Sequence, residues 1–392
     1  MKITGLRTKP FEIEMWRRLG DANSPRGRKR WGGLAVFLDT DANLTGVALG
    51  SPGAASSMQS LCELLIGCDP RGVRGLWQRM VDQVFKGGNE GTVNDAIGAL
   101  DVALWDLKAK ANNEPLWRTL GSSSRRVKLY ASGIESPLSD DELREFYTSM
   151  AKQGISAGKL KVGLDREADL RRIGIMRDAL ATSGKTPELM IDSNEYWSPK
   201  QAIRTIRFFE EHFDLTWCEE PARRWDYRGL RRVSRSVKAA VATGENLNAI
   251  NDYVPLISNE AVDIVQVGVG TSGITGAIQV ADLAYGFELP VAMMNCPGNF
   301  MAHLAAALPN HLAMEFVDMG WEAVLTTDQR IEDGWLVLGD SPGLGLQFDS
   351  DALDRHAVEE FSPDAKPSPW GRRRGAGLYI VGPDEPERLP DD

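Results

Sequence analysis

The sequence is poor in the residues that build metal fingers and disulfide frameworks, with only four cysteines and four histidines among 392 residues. The cysteines, Cys62, Cys68, Cys218 and Cys296, lack the paired spacing of a zinc site and fit buried, reduced thiols. No apolar run reaches the roughly 18 residues that a membrane span needs. The N-terminal stretch MKITGLRTKPFEIEMWRR has no apolar core of a signal peptide, so we expect a cytoplasmic protein.

Acidic residues outnumber basic ones, with 55 Asp and Glu against 45 Lys and Arg, so the net charge is −10 and the pI is about 5.2. The only basic blocks are RGRKRW and GRRRG, which predict solvated loops or, as an alternative, contacts to phosphate or an anionic substrate. This balance argues against a nucleic-acid partner. The apolar fraction of 42% and the charged fraction of 26% are typical of a globular protein. The length favours two domains, or one large barrel with an addition.

The first part of the chain predicts a small α+β unit. GGLAVFLDT and LTGVALG alternate like strands on either side of a turn, which indicates a hairpin. Residues 58–85 and 92–120 predict helices, the second from apolar residues at helical spacing. Strands followed by helices, without alternation, favour an α+β domain over residues 1–125.

From about residue 127 the sequence pattern changes to short apolar runs that end in polar residues and alternate with helical stretches. Eight such runs lie between residues 127 and 317 and predict the strands of a parallel α/β barrel, with its active site at their C-terminal ends. We therefore divide the chain into an α+β domain at 1–125, a barrel at 126–334 and a C-terminal segment at 335–392. The last segment is rich in Pro, Gly and charge, and we expect it to pack on the first domain.

Three acids end consecutive predicted strands: Asp192 in ELMIDSN, Glu219 in LTWCEE and Glu245 in KAAVATGEN. Their separations of 27 and 26 residues match one βα unit each, so all three are predicted at the same barrel mouth. Unpaired anions at that distance would repel and raise one another's pKa. Oxygen-only ligands favour a hard cation, which predicts Mg²⁺. The alternative is that each acid caps the following helix.

The run GKLKVG places Lys159 and Lys161 on the same side of the strand before Asp192. A neighbouring ammonium and partial burial would each lower a lysine pKa towards the range of a general base. The alternative is a charged edge strand that discourages aggregation, but a closed barrel has no edge.

With these residues the chain resembles the enolase superfamily, and within it the mandelate racemase and muconate-lactonizing group. The resemblance spans nearly the whole length and includes ALDVALWDLKAKANNEPLWRTLG in the capping domain. It implies a modified (β/α)₇β barrel with an N-terminal α+β capping domain completed by the C-terminal segment. It also implies that DSN, EEP and GEN supply the metal ligands Asp192, Glu219 and Glu245, and that Lys161 is the general base with Lys159 as its companion.

The chemistry implied by this resemblance is removal of the α-proton of a small-molecule carboxylate bound to Mg²⁺, through an ene-diolate. Asn194 could hydrogen-bond the substrate, and Glu220 would support the ligands. Glu315 matches a family acid that hydrogen-bonds the substrate carboxylate, which it could do as a protonated donor. The alternative is that Glu315 only caps a helix. Relatives in this family are commonly dimers or octamers, so we expect a homo-oligomer.

The chain departs from the family where a second acid/base is usual. Asn295 occupies the position of a His at the end of the seventh strand, and Val267 or Gly268 that of its partner Asp. An amide cannot shuttle a proton at neutral pH, so two-base racemisation is not expected, and Asn295 is assigned to substrate binding. The four histidines are interpreted as structural, and Cys296 is a weak candidate acid.

Three hypotheses follow. The first is a Mg²⁺-dependent hydro-lyase of the acid-sugar dehydratase type, and the second is a one-base epimerase or cycloisomerase. The third is a non-catalytic relative that binds a carboxylate, against which the retained lysines and acids argue. Specificity is expected to reside in the capping-domain loop at residues 16–32.

Overall fold

The computed structural model describes residues 1–294 and 301–363. Asn295 and Cys296 therefore lie outside the described residues. Within the described ranges, no helix has both the length and the apolar character needed to cross a bilayer.

The N-terminal domain begins with a three-stranded antiparallel sheet in the order β1-β2-β3. The second and third strands form the predicted hairpin, whose turn contains Asn43 with φ of 56°. The first strand was not predicted, although its second half alternates buried and outward residues from Phe11 to Leu19. The strands are β1 (Ile3–Leu19), β2 (Arg28–Thr40) and β3 (Thr45–Gly50).

Four helices follow the sheet. The predicted helix at 58–85 is wrong as a single element, because GCDPRG interrupts it with Gly67 at φ 78° and a proline. The predicted helix at 92–120 also ends early, since Asn113 has φ of 53°. The helices are α1 (Ala55–Cys62), α2 (Val73–Gln83), α3 (Gly91–Ala111) and α4 (Leu116–Thr119).

The next eight strands form a closed parallel barrel, as the sequence predicts. Each strand pairs with the next, and the last pairs with the first through Met314↔Leu129 and Glu315↔Tyr130. The strands are β4 (Arg126–Ser132), β5 (Ala157–Lys161), β6 (Glu188–Asp192), β7 (Leu215–Glu219), β8 (Ala240–Thr243), β9 (Ile264–Val267), β10 (Val291–Met293) and β11 (His311–Phe316).

In the described part of the chain, seven helices connect these strands and complete a (β/α)₇β barrel. They are α5 (Asp140–Lys152), α6 (Arg166–Ala181), α7 (Pro199–Glu210), α8 (Tyr227–Ser234), α9 (Ile250–Ser258), α10 (Gly273–Gly286) and α11 (Met301–Ala305). The lower barrel interior is filled by a small apolar cluster that includes Tyr130, Met190 and Trp217. Strand alternation then directs the side chains nearer the C-terminal ends of these strands into the same interior.

The described C-terminal part contains short strands and one helix, and it contacts both the barrel and the first domain. One strand pairs antiparallel with β4, whereas Phe11 bridges to Ala357 and Leu344 N–H donates to Asp106. The domain limits at 125 and 334 remain a prediction. The elements are β12 (Leu325–Thr327), β13 (Arg330–Glu332), β14 (Trp335–Val337), β15 (Leu346–Phe348) and α12 (Ser350–His356).

The capping domain is fixed to the barrel mainly where α3 packs on α10. The Asp101 carboxylate accepts two hydrogen bonds from Thr275, at 2.8 Å from its N–H and 2.6 Å from its hydroxyl. Trp105 Nε1–H donates to the same hydroxyl at 3.0 Å. Burial raises the Asp101 pKa to about 7 against the opposing effect of these hydrogen bonds.

We expect Asp101→Asn to change how stability depends on pH. The folded carboxyl holds its proton up to about pH 7 whereas the unfolded one loses it near 4, so this group costs stability as pH rises through that window. The asparagine amide cannot ionise and so escapes this cost. Between pH 5 and pH 8, the free energy of unfolding of the variant should therefore rise by roughly 1–3 kcal/mol relative to that of wild type. Urea unfolding at several pH values measures this difference.

The exposed Asp82 in α2 provides the matched control, because Asp82→Asn removes no buried carboxylate. A difference between wild type and Asp101→Asn that stays constant from pH 5 to 8 would contradict the buried, proton-holding role of Asp101.

Candidate active site

The predicted lysines and acids meet inside the barrel at the C-terminal ends of its strands. Lys161 on β5, Asp192 on β6 and Glu219 on β7 lie side by side in register. Glu315 is the penultimate residue of β11, on the far side of β4, and Glu245 follows β8 after Gly244, which has φ of 136°. The lysines and acids that the sequence predicted for the active site come from five strands and lie at one end of the barrel.

Direct ion pairs connect these groups. The Lys159 ammonium lies 2.5 Å from Glu219 Oε1, 2.8 Å from Glu315 Oε1 and 3.4 Å from Asp192 Oδ2. The Lys161 ammonium lies 2.5 Å from Asp192 Oδ2. Lys159 is 0% exposed and Lys161 is 8% exposed, so only Lys161 retains access to the mouth.

The expected low lysine pKa values are wrong for this arrangement. Burial alone would lower the pKa of both lysines, but nearby carboxylates outweigh it and raise both. Glu219 is the leading partner for Lys159 and Asp192 for Lys161. The sequence argument counted the neighbouring ammonium and burial but not the short contacts to the acids.

The pKa shifts of the acids indicate whether these side chains fit a cation. Burial and the neighbouring carboxylates raise the pKa of Glu219 well above its usual range and that of Glu245 to about 7. Burial also opposes ionisation of Asp192, but Lys161 and Lys159 lower its pKa to about 2. Two carboxyl groups whose ionisation is disfavoured, beside one that is ionised, form an oxygen donor set that fits a hard divalent cation.

The lysines hold these acid oxygens in the described arrangement. Within residues 1–294 and 301–363, no three acidic, His or Cys side chains stand in metal-ligating geometry. The helix-cap alternative for the three acids fails, because the following helices begin at the caps Ser198, Asp226 and Ala249. The edge-strand alternative for the lysines fails too, since β5 pairs with both β4 and β6.

Asn194 lies just beyond β6 in a left-handed conformation, with φ of 45°. Its N–H donates to Asp192 Oδ1 at 2.8 Å, and its carbonyl accepts from Asn23 Nδ2 at 2.9 Å. Its side-chain Oδ1 is buried and has no partner among the described residues. Asn194 therefore joins a capping-domain loop to an acid of the cluster.

Glu315 is neither a helix cap nor a protonated donor in this arrangement. The helix that follows β11 in the described chain is a short 3₁₀ turn at Trp321–Ala323, with its N-cap at Gly320. Burial raises the Glu315 pKa, but the ammonium groups of Lys159 and Lys161 outweigh it and lower the pKa overall. Glu315 is thus an ionised acceptor that helps to hold Lys159.

Two residues that sequence reasoning missed fix the backbone of β5. Glu135 Oε1 accepts the backbone N–H of Lys161 at 2.5 Å, and Tyr147 donates its hydroxyl to the carbonyl of Lys159 at 2.6 Å. Both side chains are 0% exposed. The signal for Glu135 was an acid just after the strand run VKLYASG, the same pattern that identified the other acids.

Further acids link the loops at the mouth. Glu195, with φ of 57°, accepts from Arg224 Nε at 2.6 Å and connects the loops after β6 and β7. Glu220, with φ of 44°, accepts from Asn246 Nδ2 at 2.7 Å and connects the loops after β7 and β8. Such left-handed Glu residues are uncommon and persist where surrounding contacts hold them.

The side facing the lysines contains no imidazole in the described part of the chain. The buried His303 receives the Trp117 N–H on Nδ1 and contacts the Leu344 carbonyl through Nε2, and burial lowers its pKa to about 4. This ring connects three parts of the chain and has a structural place. At the expected Asp position, β9 ends at Val267 and Gly268 follows. The substitution at Asn295 and the thiol of Cys296 lie outside the described residues.

The fold and the site together define a two-domain barrel enzyme with acids and lysines at its mouth, beneath an α+β cap. Residues 142–352 match the family described as "Enolase C-terminal domain-like". Residues 38–121 match "Mandelate racemase / muconate lactonizing enzyme, N-terminal domain". The chain belongs to the mandelate racemase/muconate lactonizing enzyme family of the enolase superfamily.

Several similar proteins of known name are sugar-acid enzymes. The chain is 32% identical over 298 residues to a 3,6-anhydro-alpha-L-galactonate cycloisomerase of Streptomyces coelicolor, covering 75% of this chain and 81% of the relative. It is 31% identical over 312 residues to the L-talarate/galactarate dehydratase of Salmonella typhimurium, covering 77% and 75%. A Streptomyces coelicolor racemase solved with bound magnesium superposes with a TM-score of 0.83 at 28% identity, covering 91% of this chain and 100% of that one.

We expect Glu219→Gln to weaken Mg²⁺ binding by at least tenfold, measured by calorimetry on the full chain. The amide retains the shape but removes the charge that makes this site suit a divalent cation. Glu188→Gln is the matched control, because Glu188 begins β6 at the opposite end of the barrel and pairs with Lys128. Equal Mg²⁺ affinity in wild type and Glu219→Gln would exclude Glu219 as a ligand.

Proposed function

We propose that the protein removes the α-proton of a hydroxylated carboxylate with Lys161 as the general base, and that the reaction is a dehydration of the acid-sugar type. The observation that carries this proposal is the position of Lys161. It is the more exposed of two lysines inside the barrel mouth, and it touches an acid of the predicted metal set.

Asp192, Glu219 and Glu245 would hold Mg²⁺, and Glu220 would support them from behind. When bound, Mg²⁺ would supply positive charge to the substrate carboxylate and to the ene-diolate that forms from it. The crowding of these acids supports this assignment, since burial and the neighbouring carboxylates raise the pKa of Glu219 and Glu245, and a cation would offset both effects.

The two lysines have different surroundings and therefore different proposed roles. Lys159 is enclosed by Glu219, Glu315 and Asp192, so it stays protonated and contributes fixed positive charge. Lys161 has one close carboxylate, Asp192. Asp192 is also a proposed metal ligand, so a cation bound there would compete with Lys161 for its carboxylate. Without that contact, burial and the Lys159 ammonium would lower the Lys161 pKa towards that of a working base.

One base, Lys161, is enough to account for both proton transfers of the proposed reaction. Lys161 Nζ takes the proton from C2, the C3–O bond breaks, and the departing hydroxyl receives a proton from the same ammonium on the same face. The enol that remains becomes a 2-keto-3-deoxy acid. Asn194, with its unpartnered amide oxygen, would hold a substrate hydroxyl, and we retain Asn295 as a second substrate contact.

A one-base isomerase is the second candidate, and the cycloisomerase among the relatives favours it. The shared step is proton removal by Lys161, and the two candidates differ in what leaves or returns afterwards. Incubation in D₂O separates them. Deuterium in a recovered epimer or cyclised isomer indicates the isomerase, whereas a 2-keto-3-deoxy product indicates the dehydratase.

We expect Lys161→Met to reduce exchange of the substrate α-proton with D₂O by at least about a hundredfold, since positioned acid–base groups contribute about 10²–10⁴. The measurement is loss of the C2–H signal of acid sugars in the presence of Mg²⁺. The methionine is unbranched and retains most of the lysine side-chain length, so binding of Mg²⁺ measured by calorimetry should persist.

Lys128→Met is the control, because Lys128 lies on the neighbouring strand β4 but pairs with Glu188 at the other end of the barrel. Full exchange activity in folded Lys161→Met would refute the general-base assignment. Exchange lost equally in both variants would instead indicate a general effect on the barrel.

A further inference from the structure

One arginine at the barrel mouth contacts the loops that follow β6, β7 and β8. Arg224 itself belongs to the loop after β7. Its Nε and Nη2 donate to the two carboxylate oxygens of Glu195, in the loop after β6, at 2.6 Å and 3.2 Å. Its Nη1 donates to the carbonyl of Asn246, in the loop after β8, at 2.8 Å. A single planar group therefore links its own loop to the loops on both sides.

The same three loops carry the proposed metal ligands. Each of the three contact residues follows one proposed ligand along the chain, in the same strand end and loop. The pairs, with the ligand first, are Asp192 with Glu195, Glu219 with Arg224, and Glu245 with Asn246. The guanidinium can therefore act on all three carboxylates through the backbone that connects them to it, without being a ligand.

The contact between Glu195 and Arg224 is well fixed. The Glu195 side chain is 0% exposed and the Arg224 side chain is 26% exposed. The Arg224 backbone N–H adds a third hydrogen bond to the Glu195 carboxylate, at 3.1 Å. The left-handed backbone of Glu195 is held by its own N–H, which donates to the Glu220 carbonyl at 2.9 Å. A buried carboxylate that accepts from a planar, two-pronged guanidinium has little freedom to turn.

Loops held at fixed separations favour a small cation over a large one. Mg²⁺ needs near-octahedral oxygen ligands at about 2.0–2.1 Å, whereas Ca²⁺ accepts variable geometry at about 2.3–2.6 Å. Carboxylates on linked loops resist the outward movement that the larger ion needs, because that movement would stretch the contacts of the guanidinium. Residues that hold metal ligands in place in this indirect way typically change metal affinity by about tenfold to a hundredfold.

We propose that the Glu195–Arg224 pair positions the three ligand loops and thereby makes the metal site selective for Mg²⁺ over Ca²⁺. The inference rests on the proposed function, because it takes Asp192, Glu219 and Glu245 as the metal ligands. Glu195 and Arg224 are positioning residues, since they act on the cation only through the loops.

The charge of Arg224 would have the opposite effect on its own. A guanidinium near a cation site repels the cation, so removing it would strengthen Mg²⁺ binding if Arg224 acted only through its charge. Weaker binding without Arg224 therefore indicates positioning. Arg223 provides the matched control, because it carries the same charge on the same loop but lies 3.7 Å from Glu195 Oε2.

The test is calorimetry of Mg²⁺ and Ca²⁺ binding to the full chain and its variants. We expect Arg224→Met to bind Mg²⁺ about tenfold more weakly than wild type and Ca²⁺ within about threefold of wild type, because only Mg²⁺ demands a fixed ligand geometry. Arg224→Lys retains the charge, but an ammonium cannot span Glu195 and the Asn246 carbonyl as the guanidinium does, so this variant should also lose Mg²⁺ affinity. Arg223→Met should keep the wild-type ratio of Mg²⁺ to Ca²⁺ affinity.

A double variant separates positioning from loss of the fold. Arg224→Met leaves the buried Glu195 carboxylate without its main partner, which destabilises the folded chain. Combining Arg224→Met with Glu195→Gln removes both charges, and this variant should show the same loss of Mg²⁺ affinity and selectivity. Thermal unfolding in the absence of metal shows whether each variant is folded.

Several results would overturn the inference. If the folded Arg224 variants bind both cations as Arg223→Met does, the loops do not need this contact, while the proposed function survives. If Arg224→Lys retains wild-type affinities, the charge matters and the planar group does not. If Mg²⁺ and Ca²⁺ affinities fall together, the pair supports the loops without setting selectivity. If the wild-type chain binds no Mg²⁺, the metal assignment of the proposed function fails and the inference with it.

Discussion

The burial of two ammonium groups inside a closed barrel is the constraint on which the rest of the site depends. Removing such charges from water costs several kcal/mol each unless opposite charges and hydrogen bonds compensate. The compensation comes from Asp192, Glu219 and Glu315, which belong to three other strands. These acids reach Lys159 and Lys161 only if β5, β6 and β7 are in register and β11 closes the ring onto β4. The charge cluster and the barrel geometry therefore require each other.

The same constraint reaches the capping domain. The loop after β6 is held in a left-handed conformation at Asn194, and Asn23 of the cap binds its carbonyl. On the opposite side of the mouth, α3 is buried almost all round because it lies between the β2–β3 sheet and α10. The active-site region thus contacts both domains, so a change in how the cap sits would change the loop after β6 at the mouth.

The sequence predicted the barrel well because each strand repeats one signal, a short apolar run that ends in a polar residue. It also identified the acids and lysines, since strand alternation and βα spacing place them at one end without any knowledge of contacts. It missed β1, where the alternation from Phe11 to Leu19 is interrupted by charge, and it joined α1 and α2 across a turn. The predicted direction of the lysine pKa shifts was wrong for a different reason. Their direction depends on contacts of 2.5 Å between side chains of different strands, which no sequence spacing determines.

The strand that would carry the orienting acid ends without a carboxylate at that position, because β9 ends at Val267 and Gly268 follows. The buried His303 is held by the Trp117 N–H and the Leu344 carbonyl, away from any role opposite the lysines. If Lys161 is the single base that we propose, proton transfer on one face of the substrate needs no second acid/base group on the other face. The opposite face is then free to be selected for the shape and polarity of the substrate instead of for proton transfer.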